Sequence, residues 1–451
     1  MSLVSLSDLL AGARPDTHCV AIRNNQRITL AQLRSDVSHN ADRLSNRSIR
    51  RAAVICNDGY WFIVGVLALV KIGALVILPP NAQTGTLLRV LGEVEGLLTD
   101  SWAIDHEKVI VLEAGRAEVA AFQAAFGKGR IDFFTSGSTG EIKKVEKSLI
   151  LFEREASVLE QMWGAELAEI PIVGTVTHQH VFGMTFRIMW PITAGRPFHS
   201  EFHVAWEPLM AQLDGPSMIV TSPAQLTRLG GFAPETAVNR PRMIISAGAP
   251  LPTDAASDAI GIFGCTPTEI LGSTEAGVIA WRRGGAEPVL WQPLPSVEVA
   301  ATHDGVLMLR SPHASGHGWC EQADRISLTG DGRFRLEGRI DRVLKVEGKR
   351  VSLERLEREI AGLPWVSEAA VVALGEPRTY LGAVAKLSAA GVAEIERVGK
   401  FRFERMLRRE LSATEDLAVL PRRWRFVDFM PMDGLGKRRV PDVVALLEQT
   451  A

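Results

Sequence analysis

The feature that most constrains this chain is an alternation. Short, largely apolar runs recur through the first three quarters, with helix-length amphipathic stretches such as 148–163 between several of them. "RAAVIC" (51–56), "ALVIL" (74–78), "KVIVL" (108–112), "IDFFT" (131–135), "PIVGTV" (171–176), "SMIVTS" (217–222) and "RMIISAG" (242–248) each read as a strand buried on both faces. Strands of that kind, joined by helices, build parallel sheets covered on both sides. The expected class is therefore α/β, with stacked, mostly parallel sheets in a large N-terminal domain. A length of 451 residues leaves room for more than one domain.

From about residue 295 the texture changes. "VEVAATHDGVLMLRS" reads as a hairpin turning at Asp304-Gly305, and "DRISLTGDGRFRLEGR" as another turning at Asp331-Gly332. "SLERLEREIAGL" follows as an amphipathic helix capped by Ser352, then "AAVVAL" and "LGAVAKL" as strands, then a basic helix around 395–411. This places a boundary near 339–342. Residues 1–339 are expected to form the large domain, and 340–451 a small α+β domain.

Composition narrows the function classes. The net charge of -2 gives no global pull toward nucleic acid or an anionic membrane. Cys19, Cys56, Cys265 and Cys320 have neither zinc nor redox spacing, as expected of idle thiols in a reducing cytosol. The N-terminus lacks an export signal, so a cytoplasmic location is expected. "WFIVGVLALVKIGALVILPP" (61–80) imitates a membrane span. Lys71 and Gly73 interrupt it, and a span needs about 20 unbroken apolar residues. It reads instead as a buried helix ending near Lys71, a turn at Gly73 and a strand stopped by Pro79-Pro80.

The chemistry-bearing stretch is "FFTSGSTGEIKK" (133–144). Small residues leave backbone N–H groups open to a bulky anion; hydroxyls add donors, and Lys143 and Lys144 add charge. Alone it is either a triphosphate cradle or a flexible polar turn. It fits neither GxxxxGK[ST] nor G-x-S-x-G.

This stretch resembles the phosphate loop of the adenylate-forming superfamily, which includes acyl-CoA synthetases, aryl-CoA ligases, adenylation domains and luciferases. That loop reads roughly T-S-G-[ST]-T-G-x-P-K-G. The resemblance assigns Thr135, Ser136, Gly137, Ser138, Thr139, Gly140 and Lys143 to the nucleotide. Ile142 replaces the usual proline and Lys144 the usual glycine. Further motifs follow in the family's order. "HQHVFGM" (178–184) places His180 between the acyl pocket and the thiol route; two histidines without a third ligand make a poor metal site. "SAGAPL" (246–251) is similar to the loop against adenine and assigns Gly248, Ala249 and Pro250. "ILGSTEAG" (270–277) is similar to Y-G-x-T-E. It brings Leu271, Gly272 and Ser273 to the nucleotide, Thr274 to the α-phosphate and Glu275 to Mg²⁺, a cation that prefers oxygen ligands. "TGD" (329–331) is a decoy: aligning "GRID" (338–341) puts Asp331 in a later turn and makes Asp324 the ribose ligand. Arg339 would reach the nucleotide, Asp341 would be the hinge, and "MPMDGLGKRRV" (430–440) makes Lys437 the lysine that swings in.

The resemblance implies an ATP- and Mg²⁺-dependent enzyme that makes an acyl-adenylate and then a thioester. "FTSGSTGEIKKVEKSL", "VTHQHVFGMTFRIMWP" and "VTSPAQLTRL" are similar to ligases of aryl-polyene pigment pathways, which load 4-hydroxybenzoate or an acyl group onto an acyl carrier protein. On that basis His178, Phe182, Met184 and Ser222 are pocket walls. Arginines crowd the C-terminal domain, either as a carrier-docking face or as a solvated surface. Glu347 in "KVEGKR" opposes the phosphates of CoA. An aryl- or fatty-acyl-CoA ligase and a non-catalytic acyl or nucleotide binder remain the alternatives.

Overall fold

The computed structural model describes the chain except residues 1–2, 81, 83, 102–104, 118–119, 123–125, 137–141, 285–289, 317, 347–348, 376–378, 413–414, 416, 433–437 and 450–451. Contacts divide the chain into two compact units, Met1–Val299 with Leu309–Cys320, and Ala300–Met308 with Glu321–Ala451.

The alternation of apolar runs resolves into two large sheets in the first unit. One runs in the order Val109–Val111, Gly96–Thr99, Arg51–Val54, Leu75–Leu78, Arg130–Ser136, Ile142–Ser148. It is parallel except for its last pair. The other runs Gln292–Pro293, Gly277–Arg283, Thr268–Ser273, Met243–Ala247, Met218–Thr221, Ile172–Gly174, Phe198–His199, Cys19–Arg23, Gln26–Thr29. It is parallel through its centre and antiparallel at both ends.

The segment that imitates a membrane span is the helix Gly59–Lys71, followed by the strand Leu75–Leu78. Asp58 caps it, accepting from the N–H groups of Tyr60 and Trp61 at 2.9 and 3.1 Å. Every residue from Gly59 to Leu69 is buried, because the helix is covered all round by protein. Lys71 closes it, and Gly73 makes the turn with φ 74°. Among the described residues no helix is long and apolar enough to cross a membrane.

The second unit holds a three-stranded sheet ordered Val366–Leu374, Tyr380–Leu387, Arg423–Val427. One face packs Val371, Leu381, Ala383 and Trp424 against Leu356, Ile360, Phe403 and Leu407 of its helices. The other packs Val372, Val384 and Leu374 against Val443 and Leu447 of the helix Val440–Glu448. Ser352 caps the helix Leu353–Ala361, accepting from Arg355 N at 3.3 Å. Ile340–Arg342 forms one helical turn between the strand that ends at Arg339 and the hairpin that starts at Val343. The single basic helix expected around 395–411 is two, Ala389–Val398 and Lys400–Leu411. Gly399, at φ 79°, breaks it in a conformation that glycine adopts without a steric penalty.

Gly391 tests the packing of this unit. In a helix Gly→Ala ordinarily gains about 1 kcal/mol. Here an added Cβ would overlap the carbonyl oxygen of Trp365, which belongs to the backbone and cannot swing away. Steric cost should outweigh propensity, so Gly391→Ala is expected to destabilise the second unit by about 1–2 kcal/mol in urea titration.

Candidate functional site

The candidate site in the first unit grows from one hairpin. Arg130–Ser136 and Ile142–Ser148 pair in register Ile131 to Lys147, Phe133 to Val145 and Thr135 to Lys143. Strand alternation therefore puts Lys143, Val145 and Lys147 on one face and Lys144 and Glu146 on the other. Lys144, the departure from the usual glycine, bonds Glu146 at 2.6 Å and lies 3.6 Å from the buried Asp132. It is an internal partner of its own hairpin. Thr135 and Ser136 continue the strand backbone, while Gly137, Ser138, Thr139 and Gly140 lie outside the described residues.

A second hairpin meets the first. Thr268–Ser273 and Gly277–Arg283 are joined through Thr274, Glu275 and Ala276. Gly272 is required by close approach, since a Cβ there would sit 2.5 Å from the Gly277 carbonyl oxygen. The Lys143 ammonium donates to the Glu275 carboxylate, joining motifs 132 residues apart. Burial pushes the Glu275 carboxyl up, but hydrogen bonds from Lys143, backbone and Ser273 outweigh it and hold the group below the usual carboxylate range. Glu275 is thus anionic at neutral pH. Mg²⁺ is characteristically held by one or two carboxylates together with substrate phosphates, and this half-buried anionic oxygen fits that role. Among the described residues no group of three or more His, Cys, Asp or Glu could hold a metal ion.

Sheet topology gathers the other segments. The parallel strands pair Gly174 with Val220, Thr221 with Ser246 and Ala247 with Ile270. Beyond these pairings the chain leaves the carboxyl edge of one sheet four times, at 175–184, at Ser222, at Gly248–Ala249–Pro250 and from Leu271 onward. In α/β sheets that edge is where ligands bind. Gly248, at φ 103°, is exposed with open space around it, as are Ala249 and Pro250. Leu271, Ser273 and Thr274 are half-buried.

The walls named from the sequence lie in this region. His178 is fully buried, its Nε2 2.9 Å from the Cys56 carbonyl oxygen and its ring 4.8 Å from Phe62. Burial, and then the charge of Arg187, push its pKa down to about 3, so the imidazole is neutral. His180 is half-buried and precedes the turn Val181–Gly183, which runs into a π-helical turn at Met184–Met189. Such turns are frequent at functional sites. Phe182 packs on Phe186 at 5.1 Å, and Met184 and Ser222 are buried.

Sequence reasoning missed several groups. Arg187 is fully buried and donates to the carbonyls of Val176, His199 and Glu201 at 2.8, 3.1 and 2.5 Å. It ties the 176 and 199–201 segments into one wall. Lys147, Glu155 and His313 are buried beneath the Glu275 turn. "KKVEK" reads as charged surface; only the cross-strand register reveals that Lys147 points inward.

In the second unit, Asp324 lies directly opposite Arg339 in the antiparallel register. Arg339 N donates to Glu354 at 3.1 Å. Asp331 is consumed by its own turn, accepting from Thr329 at 2.6 Å and from Arg333 at 2.7 Å, and these bonds hold it well below the usual range. Asp341 lies in the turn Ile340–Arg342. Lys437 and Glu347 lie outside the described residues.

The AMP-binding enzyme family matches residues 132–307. A 4-coumarate–CoA ligase of Rhodobacter capsulatus is 29% identical over 315 residues, covering 68% of this chain and 74% of that protein. The p-hydroxybenzoic acid–AMP ligase FadD22 of Mycobacterium tuberculosis is 29% identical over 251 residues, covering 49% of this chain and 35% of that protein. The fold is shared with ATP-bound MatB from Rhodopseudomonas palustris, with TM-score 0.80 and 19% identity over 97% of this chain and 98% of that one.

The buried imidazole carries a pH prediction. Because its folded pKa lies below the ordinary 6.5, the unfolded chain binds the extra proton first as pH falls. Stability present above pH 6.5 is therefore lost from there toward about pH 3. Urea titrations should show wild type losing up to about 1.4 kcal/mol per pH unit more than His178→Gln in that window.

Proposed function

We propose that this chain is an adenylate-forming enzyme of the AMP-binding family, which activates a small aryl acid, 4-hydroxybenzoate foremost, with ATP, and passes the acyl group to the phosphopantetheine thiol of an acyl carrier protein. The observation that carries the ligase reading is the contact of Lys143 with Glu275, which supports reading the one as the phosphate cation and the other as the metal carboxylate.

A carboxylate cannot be displaced by a thiol, because oxide would have to leave. The substrate carboxylate oxygen attacks the α-phosphorus of ATP, an O–P bond forms, and the bond to the β-phosphate oxygen breaks to release pyrophosphate. Negative charge gathers at that centre, so catalysis is chiefly positioning and electrostatics. Lys143 and the 135–140 loop bind the phosphates and Thr274 the α-phosphate, and Glu275 would hold Mg²⁺. When bound, that metal would supply charge neutralisation to the phosphate oxygens. Gly248, Ala249, Pro250 and Leu271 contact adenine, Asp324 the ribose hydroxyls, and Arg339 the nucleotide. Lys437 bridges carboxylate and α-phosphate. In the second step the thiolate attacks the acyl carbon and AMP leaves, with His180 between the acyl pocket and the thiol route. The two steps need different neighbours at one centre, so we read 340–451 as a domain that turns about Asp341.

The aryl acid is supported by the aromatic contacts of His178 with Phe62 and of Phe182 with Phe186, by the buried Met184, and by the p-hydroxybenzoic acid ligase among the relatives. The carrier protein is supported by the arginine-rich C-terminal region, which suits an acidic partner, and by Glu347. A second reading keeps the first step and makes CoA the acceptor; it is favoured by 4-coumarate–CoA ligases being the relatives matched over two thirds of the chain.

Acid-dependent pyrophosphate exchange, measured over aryl, fatty and amino acids, should be strongest with 4-hydroxybenzoate and should yield AMP. ADP as product would overturn the ligase reading. Equal turnover of CoA and carrier protein would overturn the acceptor. Lys437→Ala is expected to lower adenylate formation by on the order of 10² while sparing thioester formation from preformed adenylate. Loss of neither half-reaction would remove Lys437 from the mechanism.

A further inference from the structure

One charged side chain sits where its strand asks for an apolar one. Lys147 lies opposite Ile131, on the hairpin face that also carries the buried Phe133 and Val145, and it is 4% exposed. Lysines are almost never buried without a partner. Yet no carboxylate lies within ion-pair distance of this ammonium among the described residues. It reaches the carbonyl oxygens of Glu275 and His313 at 3.3 and 3.5 Å and stands 5.6 Å from the centre of the Phe152 ring.

Such contacts are a poor return for desolvating an ammonium, which costs several kcal/mol. The carboxylates of Glu155 and Glu275 favour the charged form from beyond ion-pair distance, but burial outweighs them, and an apolar side chain in its place would fill the same volume without that cost.

Position explains it better. Lys143 and Lys147 lie four residues, about 13 Å, apart on one strand face. Both converge on Glu275, Lys143 at the carboxylate and Lys147 at the peptide carbonyl. The rest of the turn is fixed by Ser315 and by the buried Glu155 and His313. Ser315 N donates to the same Glu275 oxygen at 2.9 Å. Glu155 accepts from Val278 N at 2.5 Å and from the Thr185 hydroxyl at 2.8 Å. His313 Nε2 bonds the Val278 carbonyl at 2.8 Å. Gly277 takes φ 70°, and any Cβ there would overlap the Glu155 carboxylate.

We propose that Lys147 is a positioning residue for the Glu275 carboxylate, a buried ammonium that holds the peptide of Glu275 in place when Lys143 leaves its side chain for the phosphates. The proposal rests on the reading of Glu275 as the Mg²⁺ ligand. Lys147 touches neither substrate nor metal and acts only through the turn.

The test separates positioning from mere structure because the two predict opposite stability changes. Mn²⁺ serves as probe, bound to the full chain in the presence of α,β-methylene-ATP and read from the EPR signal of the free ion. Lys147→Met should weaken Mn²⁺ binding by on the order of tenfold, with a melting temperature equal to or above wild type. In a Glu275→Gln background the same substitution should weaken it no further. Unchanged Mn²⁺ affinity in Lys147→Met, or an equal factor in both backgrounds, would overturn the proposal. Should Lys147→Met not fold, the stability argument itself fails; Lys147→Gln, which keeps a neutral donor toward the two carbonyls, should then retain Mn²⁺ affinity to within about twofold, and a tenfold loss there would overturn the proposal. If Glu275→Gln alone leaves Mn²⁺ affinity untouched, the metal reading of Glu275 is what falls.

Discussion

The junction of two hairpins at Glu275 is the contact on which the candidate site depends. The ion pair from Lys143 does not hold that junction together. A pair this exposed is worth at most about 1 kcal/mol, whereas each buried Ile, Val or Phe of the hairpin faces contributes about 1.5–3 kcal/mol. Apolar burial fixes the hairpins, and the ion pair reports where they have been fixed. Its weakness suits the proposed reaction, since Lys143 can exchange a carboxylate for a phosphate with little cost to the fold.

Sheet direction does the rest of the assembly in the first unit. Parallel strands end at a common edge, so segments far apart in sequence emerge side by side without direct interaction. The strands that pair Thr221 with Ser246 and Ala247 with Ile270 bring Ser222, Gly248 and Leu271 to one rim. The antiparallel return of Gly277–Arg283 at the end of that run turns Glu275 back over the rim. At Gly272 the two strands of that return approach too closely for a side chain, and at Gly277 the buried Glu155 carboxylate takes the space a Cβ would need.

Buried polarity marks what this site needs beyond packing. Arg187, Glu155, His313 and Lys147 are all fully or nearly fully enclosed, and all bond to backbone groups of loops at or beside the rim. Enclosed polar groups stiffen the segments they bond, because breaking any one bond strands a desolvated partner. The loops are held by this layer.

The apolar runs alone determined that strands would form near 51–56, 74–78, 108–112, 131–135, 171–176, 217–222 and 242–248, because a run buried on both faces carries its own signature. The Asp304-Gly305 and Asp331-Gly332 turns and the Ser352 cap were legible for the same local reason, and the phosphate and T-E motifs named Lys143 and Glu275. Tertiary structure decided what local pattern does not encode. The break at Gly399 was hidden inside a helical composition, and the inward turn of Lys147 inside a charged run. Register is set by pairing with a distant strand, and a shift of one residue exchanges the faces. For that reason only the folded chain could show that Lys143 and Lys147 share a face, that Lys144 does not, and that both of the former meet Glu275.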